Sequence, residues 1–186
     1  MSENVGIILA GGLGTRLRPL THTSNKHLLP VYNKPMIYYP LSVLMLAGIK
    51  KIIIVSGKSS IRGFKNLLGN GTKIGIKIEY VPQQKPNGIP ECFILAKKKI
   101  KNKRVVLILG DNFFFGQNFP DQIKKSIESN VSGCTFFCYN VSNPKDYAVV
   151  NLKKKIDIEE KPKKPKSNLV VPGLYIFDEN VSYYAK

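Results

Sequence analysis

Val5-Gly6-Ile7-Ile8-Leu9-Ala10-Gly11-Gly12-Leu13-Gly14-Thr15-Arg16-Leu17 begins as an apolar run and ends in glycines and a base. Val5 to Ala10 reads as a buried strand. Gly11, Gly12 and Gly14 then let the chain turn tightly and bring several backbone N–H groups to one point. Such a point suits a phosphate, and Arg16 adds a planar, permanently charged fork. The spacing is not a dinucleotide fingerprint, because no third glycine follows Gly12-Leu13-Gly14 at the required place. Nor is Gly57-Lys58-Ser59 a P-loop: the earlier glycine that motif needs is replaced by Ile52. On the glycines alone, a phosphate cradle and an ordinary strand-to-helix turn are both open. Arg16, and Lys26 in the polar stretch that follows, favour the cradle.

Farther along, apolar runs alternate with helical patterns. Strands are expected at Val5–Ala10, Lys51–Ser56, Ile76–Val81, Val105–Gly110 and Cys134–Tyr139. Helices are expected at about Tyr39–Ala47, Ser60–Leu68, Glu91–Lys98 and Phe119–Ser129, with Pro35 and Pro40 at helix beginnings. The run Arg104-Val105-Val106-Leu107-Ile108-Leu109 is apolar on both faces, as a central parallel strand should be. This order predicts an α/β fold: a doubly wound, Rossmann-like, mostly parallel sheet with helices on both faces and ligands at the strand tips. Past Asn140, Tyr147–Leu152 and Leu174–Phe177 read as strands of a small mixed sheet, with a turn at Lys153–Lys155.

Composition narrows the classes. The 186 residues suffice for one domain, and 43% hydrophobic content fits a globular chain. No signal-peptide pattern opens the sequence, and no apolar run reaches the roughly 18 residues of a membrane span, so a cytoplasmic location is expected. Cys92, Cys134 and Cys138 lack the spacing of a disulfide framework or zinc site, and the last two are expected as buried thiols on one strand face. His22 and His27, the only histidines, are expected to be structural or solvated. The net charge of +17 raises nucleic-acid binding as an option. Aromatics do not alternate with the lysines of 97–103 or 161–166, so a lysine-rich solvated surface is preferred.

Three further segments carry chemistry. Asp111 closes the most apolar strand and should project into the crevice, where a carboxylate could hold Mg²⁺ together with phosphate oxygens. An N-cap or turn aspartate is the competing reading. Gln83-Gln84-Lys85-Pro86-Asn87-Gly88 offers a paired donor and acceptor for a pyrimidine edge on a flat backbone, or is an ordinary polar turn. Glu159-Glu160-Lys161-Pro162, taken alone, is an exposed charged turn.

The stretches Gly11–Thr21 and Ser24–Leu41, followed in order by Gln83–Gly88, Leu109–Asn112, Asp146–Val150, Glu160–Pro162 and Val170–Tyr175, resemble the sugar-1-phosphate nucleotidylyltransferases, most of all the thymidylyl-transferring members. The resemblance implies transfer of a nucleotidyl group from dTTP (or UTP) to a hexose 1-phosphate such as glucose 1-phosphate, with Mg²⁺ as cofactor. It implies nucleotide contacts at Leu9, Gly11, Gly12, Gly14, Thr15, Arg16, Gln83, Pro86 and Gly88. Sugar contacts would fall at Leu109, Asn112, Tyr147, Ala148, Glu160, Lys161, Val171 and Tyr175. Arg16, Lys26, Asp111 and Lys161 would carry catalysis, and Asp111 the metal. Departures stand at Pro90, Ala148 and Pro172, where the family favours other residues. The resemblance also implies one domain that lacks the family's C-terminal part, with a second metal-sharing aspartate there; Asp178 lies in a different motif. A homo-oligomer is implied for the full-length assembly. A non-catalytic nucleotide binder and a basic RNA-binding module are the contrasting classes.

Overall fold

Asn4–Ala10 (β1) and Arg104–Leu109 (β6) sit side by side and parallel at the centre of the computed structural model, which describes residues 3–130, 132–152 and 155–186. Lys51–Gly57 (β4) pairs with the other edge of β1, and Lys77–Gln83 (β5) with β4, all parallel. Short antiparallel strands Pro30–Val31 (β2) and Lys34–Pro35 (β3) precede the first helix. Leu174–Phe177 (β12) runs antiparallel beside β6, and Cys134–Phe136 (β7) closes the order β5-β4-β1-β6-β12-β7. The helices are Tyr38–Leu46 (α1), Ile61–Leu68 (α2), Ile89–Ile100 (α3), Phe119–Ser129 (α4) and Val181–Tyr184 (α5).

Alternation along the strands divides the core in two. Ile8, Ile52, Ile54, Val106 and Ile108 face a cluster with Leu41 and Leu44 of α1, Phe64 of α2 and Ile123 of α4. Ile7, Ile53, Val55, Val105 and Leu107 face Cys92, Phe93 and Ala96 of α3 and Val181 of α5. Helices therefore cover both faces, as the double apolar strands require. Pro90 is accommodated in the first turn of α3, where its missing N–H has no helical partner to lose. Pro40 lies in the first turn of α1, whereas Pro35 belongs to β3.

A second sheet, order β10-β9-β11-β8, comprises Tyr139–Asn140 (β8), Ala148–Leu152 (β9), Ile156–Glu160 (β10) and Leu169–Val171 (β11). All its pairings are antiparallel, so the expected mixed sheet is corrected. Leu174–Phe177 belongs instead to the main sheet, because Leu174 and Ile176 fill one core cluster while Tyr175 and Phe177 pack on the other. The expected strand Cys134–Tyr139 also divides. Its first part is β7 and its end is β8 of the other sheet, with the chain crossing between sheets at Phe137 and Cys138. Cys134 and Cys138 are consequently exposed, not buried; only Cys92 is a buried thiol, and burial pushes it up to about 12. Of the turn expected at Lys153–Lys155, Lys153 and Lys154 lie outside the described residues.

Candidate active site

The parallel strands β1, β5 and β6 end at the same edge, and their last residues on the α3 side are Leu9, Gln83 and Leu109. With Gly11, Gly12, Lys26, Pro86, Gly88, Asp111 and Lys161 they line a cleft of about 390 Å³. Residues far apart in sequence thus meet at the carboxyl ends of the strands, where open α/β sheets bind ligands. A larger cavity of about 540 Å³ lies on the other side of the glycine loop, lined by Thr21, Asn25, Ser60 and Arg62 among others. The smaller cleft brings Lys26 and Lys161 together with the Asp111 carboxylate, and it is the candidate site.

The glycine loop is fixed by its neighbours. Gly14 adopts φ 61°, a left-handed conformation that favours glycine, and a Cβ there would lie 2.9 Å from Thr21 Cγ2. The Thr21 hydroxyl donates to the Gly14 carbonyl at 2.8 Å. Thr15 and Arg16 belong to a short 3-10 turn that follows. Gly11 has a different reason to be glycine: a Cβ would come within 2.1 Å of Gln83 Oε1. Gln83 is 3% exposed, and its Nε2 donates to Glu91.

Lys26 lies along Gly12, whose Cβ position is 3.5 Å from Lys26 Cε, and its ammonium donates to Asp111. Asn25 anchors this segment, donating to the Ala10 carbonyl at 3.1 Å and accepting from the His27 N–H at 2.9 Å. His27 is buried beside Gly110 and bonded through Nδ1 to Asn25, a structural role. Burial first, and the Lys26 charge second, lower His27 to about 4 against the pull of Asp111. His22 is exposed. Burial works against a charged Asp111, but the Lys26 hydrogen bond and charge prevail and hold the carboxyl below its usual range.

Lys161 reaches the cleft from the end of β10. It has φ 46°, uncommon for a residue with a Cβ, and its N–H donates to the Tyr147 carbonyl at 3.0 Å. Glu160 pairs in register with Ala148 and lies 3.6 Å from the Lys161 ammonium. Ala148 and Glu160 on the second sheet, and Tyr147 just before β9, therefore lie beside Lys161. Asn112 and Leu109 share a support the sequence did not single out: a Cβ on Gly173 would meet Leu109 Cγ at 2.3 Å and Asn112 Nδ2 at 2.7 Å.

Arg16, Val171 and Tyr175 are among the expected site residues that do not line the cleft. Arg16 is highly exposed and lies 3.9 Å from Asp146, next to Tyr147, because the 3-10 turn carries its side chain outward. Val171 is buried in β11. Tyr175 stacks on Phe177 with ring centroids 6.0 Å apart; burial, then the Glu160 charge, raises its phenol. Asp178 is no site residue. The antiparallel course of β12 takes it to the opposite end of the sheet, near Val105, where it accepts from the Asn180 N–H at 2.8 Å.

Among the described residues no group of three or more His, Cys, Asp and Glu could cage a metal. A magnesium ion does not need one. It takes one or two carboxylates and fills its shell with phosphate oxygens and water. Asp111, at a strand tip with its side chain 40% exposed, fits that demand.

Fold and site together define a doubly wound α/β protein with a cation-bearing cleft between a glycine loop and an antiparallel sheet. Residues 5–186 match the nucleotidyl transferase family model. A glucose-1-phosphate thymidylyltransferase of Neisseria meningitidis is 48% identical over 184 residues, covering 97% of this chain and 64% of that protein. A solved structure described as a glucose-1-phosphate thymidylyltransferase from Bacillus anthracis, in complex with sucrose, superposes with TM-score 0.90 at 39% identity, covering 97% of this chain and 74% of its own. A UDP-glucose pyrophosphorylase complexed with UDP-glucose gives 0.82 at 26%, covering 100% and 79%. The chain belongs to the nucleotidyl transferase family, and it spans 64% of the length of the Neisseria relative. No helix among the described residues is long and apolar enough to cross a membrane.

Proposed function

We propose that this cleft transfers a thymidylyl group from dTTP to glucose 1-phosphate, forming dTDP-glucose and pyrophosphate. The observation that carries the reading is the gathering of Gln83, Gly88, Lys26, Asp111 and Lys161 around one cleft, in a chain so similar to a glucose-1-phosphate thymidylyltransferase. A sugar-phosphate oxygen attacks the α-phosphorus in line. A P–O bond forms, the bond to the β-phosphate breaks, and pyrophosphate leaves with the electron pair. The nucleophile is already an anion, so alignment and charge neutralisation suffice.

In this reading Gln83 and Gly88 hold the base, and Leu9 and Pro86 wall it. Gly11, Gly12, Gly14 and Thr15 supply the phosphate loop, with Lys26 beside it. Arg16 leaves its exposed partner Asp146 for the triphosphate. Lys161 holds the sugar phosphate, while Glu160, Tyr147 and Asn112 serve the sugar. Asp111 would bind Mg²⁺, which when present offsets the repulsion between the two anionic reactants. Three free cysteines suit the reducing cytoplasm.

Pyrophosphate release from dTTP and glucose 1-phosphate with Mg²⁺ tests the proposal. Release at a background rate in a folded chain that also fails to bind dTTP overturns it. A UTP arm reads the pyrimidine preference: one methyl group separates the bases and is worth only about 1–3 kcal/mol.

A further inference from the structure

Gln83 can read a base only if its amide stands one way round. A glutamine amide carries a donor and an acceptor of nearly equal shape, and a flip exchanges them. Three observations fix the orientation here. Glu91, in the first turn of α3, accepts from Gln83 Nε2. The same carboxylate accepts from the Asn87 N–H at 3.3 Å and from Asn87 Nδ2 at 3.1 Å. On the other side, Gln83 Oε1 occupies the space a Cβ on Gly11 would fill. An ionised carboxylate only accepts, so the atom facing Glu91 must be the nitrogen. The Gln83 bond, with those from Asn87, also holds Glu91 ionised by lowering its carboxyl below the usual value.

We propose that Glu91 is a positioning residue that locks the Gln83 amide and thereby selects an imide base, thymine or uracil, over cytosine. This rests on the reading of Gln83 as the base contact. At a fixed base position the two classes present opposite patterns. Thymine and uracil offer a carbonyl at C4 beside an N3–H donor; cytosine offers an amino group beside an N3 acceptor. Locked as observed, Gln83 has Nε2 for the carbonyl and Oε1 for the N3–H. Released, it can turn to suit cytosine. Asn87, held by the same carboxylate, ties the loop carrying Pro86 and Gly88 to that choice.

The test is binding of dTTP, UTP and dCTP by calorimetry to wild type, Glu91→Ala, Glu91→Gln and Gln83→Ala. Glu91→Ala is expected to narrow the dTTP-to-dCTP affinity ratio about tenfold, mostly by losing dTTP, with the dTTP-to-UTP ratio unchanged. Glu91→Gln keeps an acceptor and is expected to restore most of the discrimination. A folded Glu91→Ala protein with an unchanged ratio, or with both affinities lowered equally, overturns the proposal. If Gln83→Ala also leaves the ratio intact, the base-site reading itself fails; if Gln83→Ala collapses it and Glu91→Ala does not, only the role of Glu91 fails. A wild type indifferent to dTTP overturns both. A second measurement needs no nucleotide and no Glu91 variant. The Gln83 side-chain NH₂ protons, identified by their loss in Gln83→Ala, should exchange with solvent slowly in the wild type. Exchange as fast as an exposed glutamine overturns the lock.

Discussion

Lys161 and Arg16 are both basic and both expected to meet phosphate, yet the backbone treats them differently. Lys161 occupies the left-handed region at φ 46°, which costs a residue with a Cβ about 1 kcal/mol or more. Lys161→Gly should therefore leave the thermal midpoint unchanged or raise it, while pyrophosphate release falls about 100-fold through loss of the phosphate-holding cation. A drop in both would assign the lysine to the fold instead. Arg16 sits on the surface with one distant partner, Asp146 at 3.9 Å. Arg16→Ala should leave stability within about 0.5 kcal/mol by urea titration and lower turnover by at least about tenfold. An unchanged rate would strip Arg16 of its role. The glycines, Asp111 and Gln83 were legible in the sequence because strand tips and turns have local signatures. The Gln83–Gly11 approach, the Glu91 clamp and the Gly173 support were not, since the Gly11 and Gly173 contacts join strand ends that meet only in the folded sheet and the clamp needs the side-chain direction.

Strands differ in how strongly the chain announces them. β1, β4 and β6 are buried on both faces and read as continuous apolar runs, so their places were evident. β10 is exposed along its whole length, and β8 is two residues long; neither has a face for periodicity to reveal. The break after Phe136 follows packing: Phe137 turns toward Phe119, with ring centroids 5.6 Å apart, as the chain leaves the main sheet. Between elements, Glu79 of β5 ties together Lys51 of β4 at 3.4 Å, Lys77 at 3.7 Å and Lys99 of α3. Glu79→Gln leaves three ammonium groups around a neutral amide and should cost about 1 kcal/mol. The Lys99 hydrogen bond, ahead of the opposing burial, lowers the Glu79 carboxyl below its usual value. A lowered carboxyl stabilises the fold above the unfolded-state value near 4.5 and loses that contribution as pH falls through the folded one. The stability gap between wild type and Glu79→Gln, read from urea midpoints, should thus shrink as pH falls below the unfolded-state value near 4.5 and close once pH passes the folded one. A gap that persists in acid would place the effect in packing.

The molecule as a whole carries 29 basic residues against 12 acidic ones, a formal charge of +17. Local pairing does not consume this excess, because Glu79 and Asp111, the best-paired acids near the sheet, are each matched by lysine while most lysines face solvent. A field of that sign raises the concentration of anions at the surface, and a cleft with low-dielectric walls focuses it. Leu9, Leu109, Ile89 and Pro86 supply such walls beside Lys26 and Lys161. The effect belongs to encounter rather than to the bound contacts, which lie well inside the roughly 8 Å screening length at physiological salt. Raising ionic strength from about 0.02 to about 0.3 M should therefore slow dTTP association about tenfold and change its dissociation rate far less. Stopped-flow binding measures both. Thymidine, which lacks the phosphates, should show no such slowing. If the two ligands respond alike, the charge serves solubility alone and the cleft recruits its nucleotide by contact.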